Sequence, residues 1–526
     1  MILPPPSRFR RAALAAAGLA LAVAAAPAEI VEVPGLGRLD FPNSGAPEAQ
    51  IDFARGVLLL HSFEFEDARE AFQRARQIDP SFALAAWGEA MTHNHPLWRE
   101  QDRDAARAAL ASLPEDAPAT ERERGYLAAL DALYGEGDRG ERNLAYELAM
   151  ERLAARYPDD LEARAFYSLA ILGTADGRRD FGTYMRAAAV AEEVFAANPR
   201  HPGAAHYLIH SYDDPVHAPL GLRAARVYAD IAPAASHAQH MISHIYVALG
   251  RWEDSVESNR NAFEVSRERA ERKGLGADAF NFHALHWLQY SYLQLGRIDD
   301  AAELLESMAG WASEARSGRS RWYQAAMRAT WAAETGQTPP VPPVEEVESA
   351  EAEIFDAFAT GYPAAAAGDA ETARAALDRI GSRIAELEAS DETRGEELTR
   401  ARVVAASLEA MLERGADRDA EALTRLGEAA AAEGALPLEY GPPRIPKPAH
   451  ELLGEVLLAL DRPSEARAQF ERALSRAPRR SLSLAGLARA ARDLGDDETA
   501  DRACAELASI RGAAAGGGGS HPACGT

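Results

Sequence analysis

Small and aromatic residues recur with the same spacing near both ends of the chain. Intervals of four, three and five residues separate the members of two sets: Ala68, Phe72, Ala75 and Pro80, and Ala466, Phe470, Ala473 and Pro478. Intervals of three and four place side chains on one face of an α-helix, and proline ends a helix because it lacks the amide hydrogen. The pattern predicts helix pairs in which small residues allow close packing and an aromatic ring fills the space between neighbouring pairs.

Proline and glycine indicate further helix ends between these two segments. They stand at five positions: Pro158, Pro199, Pro233, Gly250 and Gly296. Residues 337–344 are Pro-rich, which excludes a helix and predicts a stiff linker. We therefore expect two helical arrays, one over residues 47–336 and the other over residues 345–511.

The intervals around Phe72 and Phe470 resemble the signature of the tetratricopeptide repeat (TPR) family, whose unit is a helix-turn-helix of 34 residues. Gly56 and Gly454 stand at the family's small position in the first helix of a unit. The resemblance implies an all-α helical-repeat solenoid, a right-handed superhelix of antiparallel helix pairs. TPR arrays most often serve as protein-interaction scaffolds, so the resemblance also implies a protein or peptide partner.

Three longer stretches narrow this resemblance: residues 206–215, 237–250 and 439–455. Together they resemble a set of largely uncharacterised exported bacterial TPR proteins. The likeness extends over roughly residues 47–511. It implies the fold, and it carries no established activity.

The overall charge argues against nucleic-acid partners. The formal net charge is −25 and the pI is near 5.1, while aromatic residues make up only 7% of the chain, which favours helices over sheets. Binding to DNA, RNA or an anionic membrane surface needs patches of Lys and Arg. We therefore expect an acidic protein without a nucleic-acid partner.

The N-terminus has the order of segments typical of a secretory signal peptide. Arg8, Arg10 and Arg11 precede an apolar run over residues 12–26, and small residues end at Ala28. The sequence predicts a signal peptide over residues 1–28, export to the periplasm or the extracellular space, and no stable membrane insertion after cleavage. An uncleaved N-terminal anchor is the alternative.

Two cysteines are too few for a disulfide framework to organise the fold. Cys504 stands in the last predicted helical unit, and Cys524 stands in a Gly-rich tail over residues 512–526 that we expect to be flexible. In an oxidising compartment the two thiols could pair and tie the tail down. Two unpaired thiols are the alternative.

Histidines are concentrated within the first array. Eight of the fourteen lie between His206 and His286, and the pairs His206 with His240 and His210 with His244 are each 34 residues apart. In TPR solenoids the second, fifth and ninth positions of each first helix line the concave groove. Seven histidines from three successive units take such positions: His206, His210, His237, His240, His244, His283 and His286.

Helical geometry predicts that these imidazoles converge. Residues three or four apart on a helix lie about 5 to 6 Å apart at Cβ, and packed helices lie roughly 8 to 10 Å apart. Neutral imidazole is a strong ligand for zinc, copper or iron. We expect one or two such ions, with Asp213 as a further ligand or as a residue that orients one. A polar groove for a peptide or small molecule and an incidental packing arrangement are the alternatives.

Other catalytic motifs are missing from the sequence. The chain has no Gly-x-x-x-x-Gly-Lys loop and no Gly-x-Ser-x-Gly elbow, so no nucleotide is expected. His450 and Glu451 begin a zincin-like motif, but Gly454 stands where its second histidine belongs. An exported binding module is therefore the favoured function. A metal-dependent hydrolase or oxidase that uses the same histidines is the alternative.

Overall fold

The computed structural model describes residues 30–175, 179–389 and 395–512, together with Cys524. The predicted signal peptide and the predicted tail, except for Gly512 and Cys524, lie outside the described residues. Within the described ranges the chain is almost wholly α-helical, and its 23 helices are numbered α1 to α23 in chain order.

The helices that precede the candidate site are α1 Gln50–His61, α2 Phe65–Ile78, α3 Ala83–Met91, α4 Arg103–Ala111, α5 Glu121–Leu133, α6 Arg139–Arg156, α7 Leu161–Gly173 and α8 Phe181–Ala197. The middle helices are α9 Pro202–Tyr212, α10 Ala218–Ile231, α11 Ser236–Ala248, α12 Trp252–Lys273, α13 Phe282–Gln294, α14 Ile298–Ala315 and α15 Gly318–Thr335. The last helices are α16 Ala350–Ala366, α17 Ala370–Ala389, α18 Gly395–Gly415, α19 Asp419–Ala435, α20 Ala449–Ala459, α21 Pro463–Arg476, α22 Ser481–Asp493 and α23 Asp497–Gly512.

Two short antiparallel hairpins accompany the helices. Strand β1 (Val31–Val33) pairs with β2 (Gly37–Leu39), and β3 (Asn94–His95) pairs with β4 (Glu100–Gln101). The first hairpin packs against α1, and the second follows α3.

Glycine and phenylalanine explain why the units at both ends of the chain pack alike. A Cβ atom on Gly56 would lie 2.7 Å from the Phe72 ring, and one on Gly88 would lie 2.3 Å from it, so the ring of α2 fits only between these two glycines. In the terminal unit Gly454 stands in the same relation to Phe470, at 2.8 Å. The aromatic ring thus fills the space between units, as the sequence predicts.

Most consecutive helices pack against one another, and each unit stacks on the next through an apolar face. The molecule is an all-α solenoid of antiparallel helix pairs of the TPR type. The predicted fold class is confirmed. Repeats of this kind bury their apolar faces only against their neighbours, which is why the array runs through most of the chain.

Both ends of the solenoid fold back on its middle units. The amide of Ala234, just before α11, donates to the carbonyl of Gly35 in the first hairpin (2.9 Å). At the other end, the Trp252 indole donates to the carbonyl of Arg479 (3.1 Å), and the Arg479 guanidinium donates to the carbonyl of Gly250 (3.1 Å). Helices α9 to α13 are therefore enclosed by segments from both ends of the chain.

The predicted linker over residues 337–344 is not helical, because α15 ends at Thr335 and α16 begins at Ala350. It is nevertheless packed: Val344 is buried, and its amide donates to Asp356 Oδ1 (3.0 Å). Side chains of α15 and α16 share one hydrophobic core across it. The division of the chain into two arrays at this segment stays a prediction.

The two cysteines are paired in the structure. Cys504 and Cys524 form a disulfide, with their Cα atoms 5.6 Å apart, which is the first of the two alternatives that the sequence leaves open. None of the helices in the described ranges has both the length and the apolar character that crossing a membrane requires.

Candidate metal centre

Three first helices of successive units, α9, α11 and α13, carry the seven candidate histidines. The starts of these helices are fixed by local contacts. His201 accepts the amide of Ala204 at the start of α9, and the Asn281 side chain caps α13. Helix α11 begins differently, because Glu64 from the turn between α1 and α2 accepts the amide of His237 (2.9 Å). A long-range contact therefore sets the position of the helix that carries three of the histidines.

His206, His210 and His237 form a first triad, in which one potential ligand atom of each residue lies within 4.8 Å of the others. The His206 ring centroid lies 4.8 Å from that of His210 and 5.0 Å from that of His237. The Nε2 atoms of all three are buried and have no hydrogen-bond partner in the described part of the protein. Three unpaired polar atoms buried side by side are energetically unfavourable.

A hydrogen bond sets the tautomer of one residue of the first triad. His206 Nδ1 lies 2.5 Å from the carbonyl oxygen of His61, which can only accept, so Nδ1 carries the hydrogen and Nε2 presents a lone pair. His210 Nδ1 lies 3.7 Å from Asp213 Oδ2, which is longer than a hydrogen bond. His206 therefore turns an unprotonated nitrogen toward the centre of the triad, as a metal ligand does.

His240, His244 and His283 form a second triad, again with potential ligand atoms within 4.8 Å of one another. The His240 ring centroid lies 5.0 Å from that of His244 and 4.5 Å from that of His283. The triads adjoin each other, because the His210 and His244 rings are 5.7 Å apart. The structure thus brings six of the seven predicted histidines together.

Hydrogen bonds also set the tautomers of the second triad. His240 Nδ1 lies 2.7 Å from Asn259 Oδ1, and the amide nitrogen of Asn259 is engaged with the Ser255 carbonyl, so Oδ1 is the acceptor. His244 Nδ1 lies 3.0 Å from Asp213 Oδ2. Both Nδ1 atoms therefore carry hydrogen, and both Nε2 atoms present lone pairs.

The two Nε2 atoms of His240 and His244 face each other at 3.1 Å. Two lone pairs at this distance repel unless a proton or a metal ion lies between them. Tetrahedral coordination with bonds of about 2.05 Å places two ligand nitrogens about 3.3 Å apart. The observed spacing suits two ligands of one ion.

Asp213 connects the two triads. Its Oδ2 accepts from His244 of the second triad and faces His210 of the first. The Arg179 guanidinium binds Asp213 and also Asp214, the latter at 2.9 Å. Burial alone would raise the pKa of Asp213, but Arg179 and the two imidazoles outweigh it and hold the pKa below its ordinary value. Asp213 is therefore ionised.

Four histidines of the two triads are kept neutral. Burial, reinforced by neighbouring imidazoles, holds the pKa values of His206, His237 and His240 well below the ordinary value. Burial likewise lowers the pKa of His283 to about 3. Neutral imidazole is the form that binds a metal ion, so these four residues need no deprotonation at neutral pH.

The histidines lie inside the molecule rather than on an open groove, which differs from the sequence prediction. His206 and His240 are fully buried. The Phe63 ring lies 4.3 Å from that of His206, and Tyr440 from the C-terminal half lies 4.9 Å from His244. The groove is covered because both ends of the chain fold back on it, which no local pattern indicates.

Gly441 explains how the C-terminal segment reaches the second triad. Its φ of +88° favours glycine, and a Cβ atom here would lie 2.3 Å from Trp287 Cζ2. Trp287 in turn stacks on His244, with centroids 4.5 Å apart and planes 25° apart. Part of the stretch 439–455, which carries the family resemblance, therefore covers the histidines.

A cavity of about 710 Å³ lies beside Trp98, and no candidate histidine lines it. Trp98 and Tyr184 line it. The Trp98 ring is 47% exposed and lies 5.6 Å from the His237 ring, while Tyr184 lies 4.2 Å from the guanidinium of Arg179. Small-molecule sites commonly occupy about 300 to 1,000 Å³, so the cavity is large enough for a ligand.

Comparisons with known proteins concern the fold. No protein-family model matches the chain, and no curated protein matches it. Among solved structures, a chain of the APC/C hetero-tetramer Cut9-Hcn1 is similar over 84% of this chain and 76% of that chain, at 12% identity and a TM-score of 0.34. Human IFIT1, solved as a dimer with m7Gppp-AAAA, is similar over 89% of this chain and 90% of its own, at 12% identity and a TM-score of 0.33.

The TPR domain of P58(IPK) is similar over 86% of this chain and 99% of that domain, at 13% identity and a TM-score of 0.21. Such distant likeness concerns the fold alone and carries no argument about the histidines of this chain.

Of the predicted site residues, His286 takes a position other than expected. His286 lies outside both triads, and its Nε2 pairs with the Thr330 hydroxyl (2.9 Å). Asp213 contacts Nδ1 atoms of the histidines, which fits the orienting role that the sequence allows. The neighbouring Asp214 instead accepts from the backbone and the ring of His217, and so fixes the turn before α10.

Sequence reasoning missed a third group of buried histidines, which we call the carboxylate cluster: His61, Glu162 and His201. His61 Nε2 lies 2.6 Å from one Glu162 oxygen, and His201 Nε2 lies 3.3 Å from the other, less well aligned than a hydrogen bond. His61 Nδ1 faces the Tyr207 hydroxyl (2.8 Å), and His201 Nδ1 accepts the Ala204 amide (3.2 Å). These partners leave the ring hydrogens on Nε2, where the carboxylate accepts the one from His61 and lies near the one from His201.

The charge of the carboxylate cluster agrees with this arrangement. Burial raises the pKa of Glu162, but His201 and His61 outweigh burial and hold the pKa well below its ordinary value. The ionised carboxylate therefore already has its partners. No local signal could reveal the cluster, because its members come from α1, α7 and the residue before α9.

Proposed function

We propose that this chain is an exported TPR protein whose histidine core binds a first-row transition metal. One observation carries the proposal: the buried Nε2 atoms of His206, His210 and His237 converge without a partner in the described part of the protein. A cation supplies what these lone pairs lack. The facing Nε2 atoms of His240 and His244 support the same conclusion.

The ligands favour zinc, copper or iron. They are imidazoles backed by one carboxylate, and imidazole suits all three metals, whereas magnesium and calcium prefer oxygen ligands. The Nδ1 atoms of His206, His240 and His244 are already hydrogen-bonded, so these three rings are oriented before an ion enters.

Export and a macromolecular partner complete the proposal. TPR solenoids are a fold class of protein-interaction modules, so a protein or peptide partner is expected on the outer surface or at the cavity. The disulfide between Cys504 and Cys524 supports export, because such bonds persist in oxidising compartments.

Metal analysis of the full chain, purified without a histidine tag, tests the proposal. We expect a transition metal in the wild type, or uptake of Zn²⁺, Cu²⁺ or Fe²⁺ by the apo-protein. The variant His206→Ala/His240→Ala removes one ligand from each triad and should lose this metal, with its helical circular dichroism unchanged. His286→Ala is the matched control, since His286 is buried on α13 outside both triads. A wild type that takes up none of the three metals contradicts the proposal.

A metal-dependent hydrolase or oxidase is the second candidate, and the cavity beside Trp98 favours it. Three histidines leave a coordination position open for water or a substrate. Azide added to the metal-loaded protein distinguishes the candidates. A spectral change that reverses on dialysis favours an enzyme, whereas a metal that does not respond to azide favours storage or a structural role.

A further inference from the structure

We infer that the histidine core holds two ions, one in each triad, in adjoining sites that share Asp213 as a common positioning residue. The inference rests on the proposed metal binding and adds the number of ions and the connection between them.

Each triad has its own unsatisfied nitrogens. An ion in the first triad leaves His240 and His244 with two Nε2 lone pairs 3.1 Å apart. An ion in the second triad leaves the Nε2 atoms of His206, His210 and His237 buried without a partner. One ion therefore relieves only half of the core.

A single ion between the triads would satisfy only part of the core. The first triad spans α9 and α11, and the second spans α11 and α13. His210, Asp213 and His244 bring potential ligand atoms within 4.8 Å of one another, so one ion there would take a histidine from each triad. That ion would still leave the Nε2 atoms of His206 and His237 buried without a partner. An ion in each triad uses all six histidines.

Asp213 lies at the junction of the two sites. It accepts from His244 of the second triad and faces His210 of the first, while Arg179 holds its carboxylate in place. A carboxylate behind a ligating imidazole fixes the ring and makes it a better donor to the metal. Asp213 therefore orients His244 through a hydrogen bond and lies 3.7 Å from His210 of the other site.

Asn259 provides the matched comparison for Asp213. It engages the Nδ1 atom of His240 alone, so it supports only the second triad. Asp213→Asn should weaken the binding of both ions by about 10- to 100-fold. Asn259→Ala should weaken only one.

The experiment uses the full-length apo-protein titrated with Cu²⁺, with bound metal measured after gel filtration and by electron paramagnetic resonance. The wild type should bind two ions per chain. His237→Ala and His283→Ala should each bind one, and the double variant should bind none. Two nearby Cu²⁺ ions broaden each other's signal, so the wild type should show a broadened spectrum and each single variant a sharp one. The ion retained by each single variant also reports that its fold is intact.

The outcomes separate this inference from the proposed function. One ion in the wild type, lost completely in either single variant, means a single shared site, which overturns the inference and leaves the proposed function standing. No ion in the wild type overturns both. Two ions retained by the double variant place the metal elsewhere and overturn the inference. If Asp213→Asn lowers the affinity for only one of the two ions, Asp213 is not a positioning residue that both sites share.

Discussion

The two triads and the carboxylate cluster are both made of buried histidines at similar distances, yet their ring hydrogens point in opposite directions. In the triads, His206, His240 and His244 give their Nδ1 hydrogens to outer acceptors and turn Nε2 lone pairs inward. In the carboxylate cluster, His61 and His201 turn Nε2 hydrogens inward toward a carboxylate.

This difference shows that convergence of imidazoles does not by itself identify a metal site. The deciding feature is which ring nitrogen of each histidine is already hydrogen-bonded to the surrounding protein. In the carboxylate cluster, the ionised Glu162 accepts from His61 and lies 3.3 Å from His201 Nε2. In the triads, the inward nitrogens face one another or lack partners in the described part of the protein. We therefore interpret the carboxylate cluster as structural and the triads as the candidate binding site.

The largest expected effect comes from breaking the carboxylate cluster. Glu162→Ala leaves His61 and His201 buried without their acceptor, and removal of one partner from such a buried group costs about 3 to 5 kcal/mol. Urea denaturation measures the loss. Glu162→Gln, which keeps an acceptor oxygen, should lose less, and both variants should keep their metal. If Glu162→Ala has unchanged stability but no longer binds metal, the carboxylate cluster is the metal site and not a structural element.

Metal should stabilise the protein through the triads alone. At a free ion concentration of about 100 times Kd, binding adds about 2.7 kcal/mol to the free energy of unfolding. The same ion should leave His206→Ala/His240→Ala unaffected and should still stabilise Glu162→Gln. Thermal or urea unfolding with and without Zn²⁺ checks this, and an equal gain in all three proteins indicates binding outside the triads.

Gly441→Ala tests the cover of the second triad. A methyl group there meets the Trp287 ring, and the backbone is left-handed, so we expect a loss of about 1 to 3 kcal/mol. Because Trp287 stacks on His244, its fluorescence and the affinity of the second triad should change together. Gly310→Ala is the control, since a Cβ atom on Gly310 meets nothing within 4 Å. If the stability changes but the metal affinity does not, the packing of Gly441 against Trp287 has no effect on the second triad.

Acidification should destabilise the apo-protein through its neutral histidines. Burial lowers the pKa values of His283 and His286 to about 3. Below about pH 6.5 the unfolded chain therefore binds protons at these residues, whereas the folded chain binds them only near pH 3. The free energy of unfolding should therefore fall by about 1.4 kcal/mol per pH unit for each residue within that window. His283→Ala should show a shallower slope. An identical slope in wild type and variant shows that His283 is protonated in the folded protein.

The sequence predicts the fold and most of the candidate site, because both follow a repeat. The spacing around Phe72 fixes how one unit stacks, and the interval of 34 residues places His210 beside its counterpart His244, with ring centroids 5.7 Å apart. Contacts between segments that are far apart in the sequence do not follow the repeat, so the repeat does not predict them. Glu162 meets His61 across 101 residues, and Tyr440 reaches His244 across nearly 200, with no periodic signal in either case.

The closure of the solenoid also bears on how an ion could enter or leave. Phe63 comes from the first unit and Tyr440 from near the last, so the walls of the centre are complete only after the whole chain has folded. An ion seated before closure is retained until the segment around Gly441 opens locally. We expect that opening to limit the rate of metal exchange. The metal in the folded protein would then depend on which ion was available while the chain folded, and not on which ion binds most tightly.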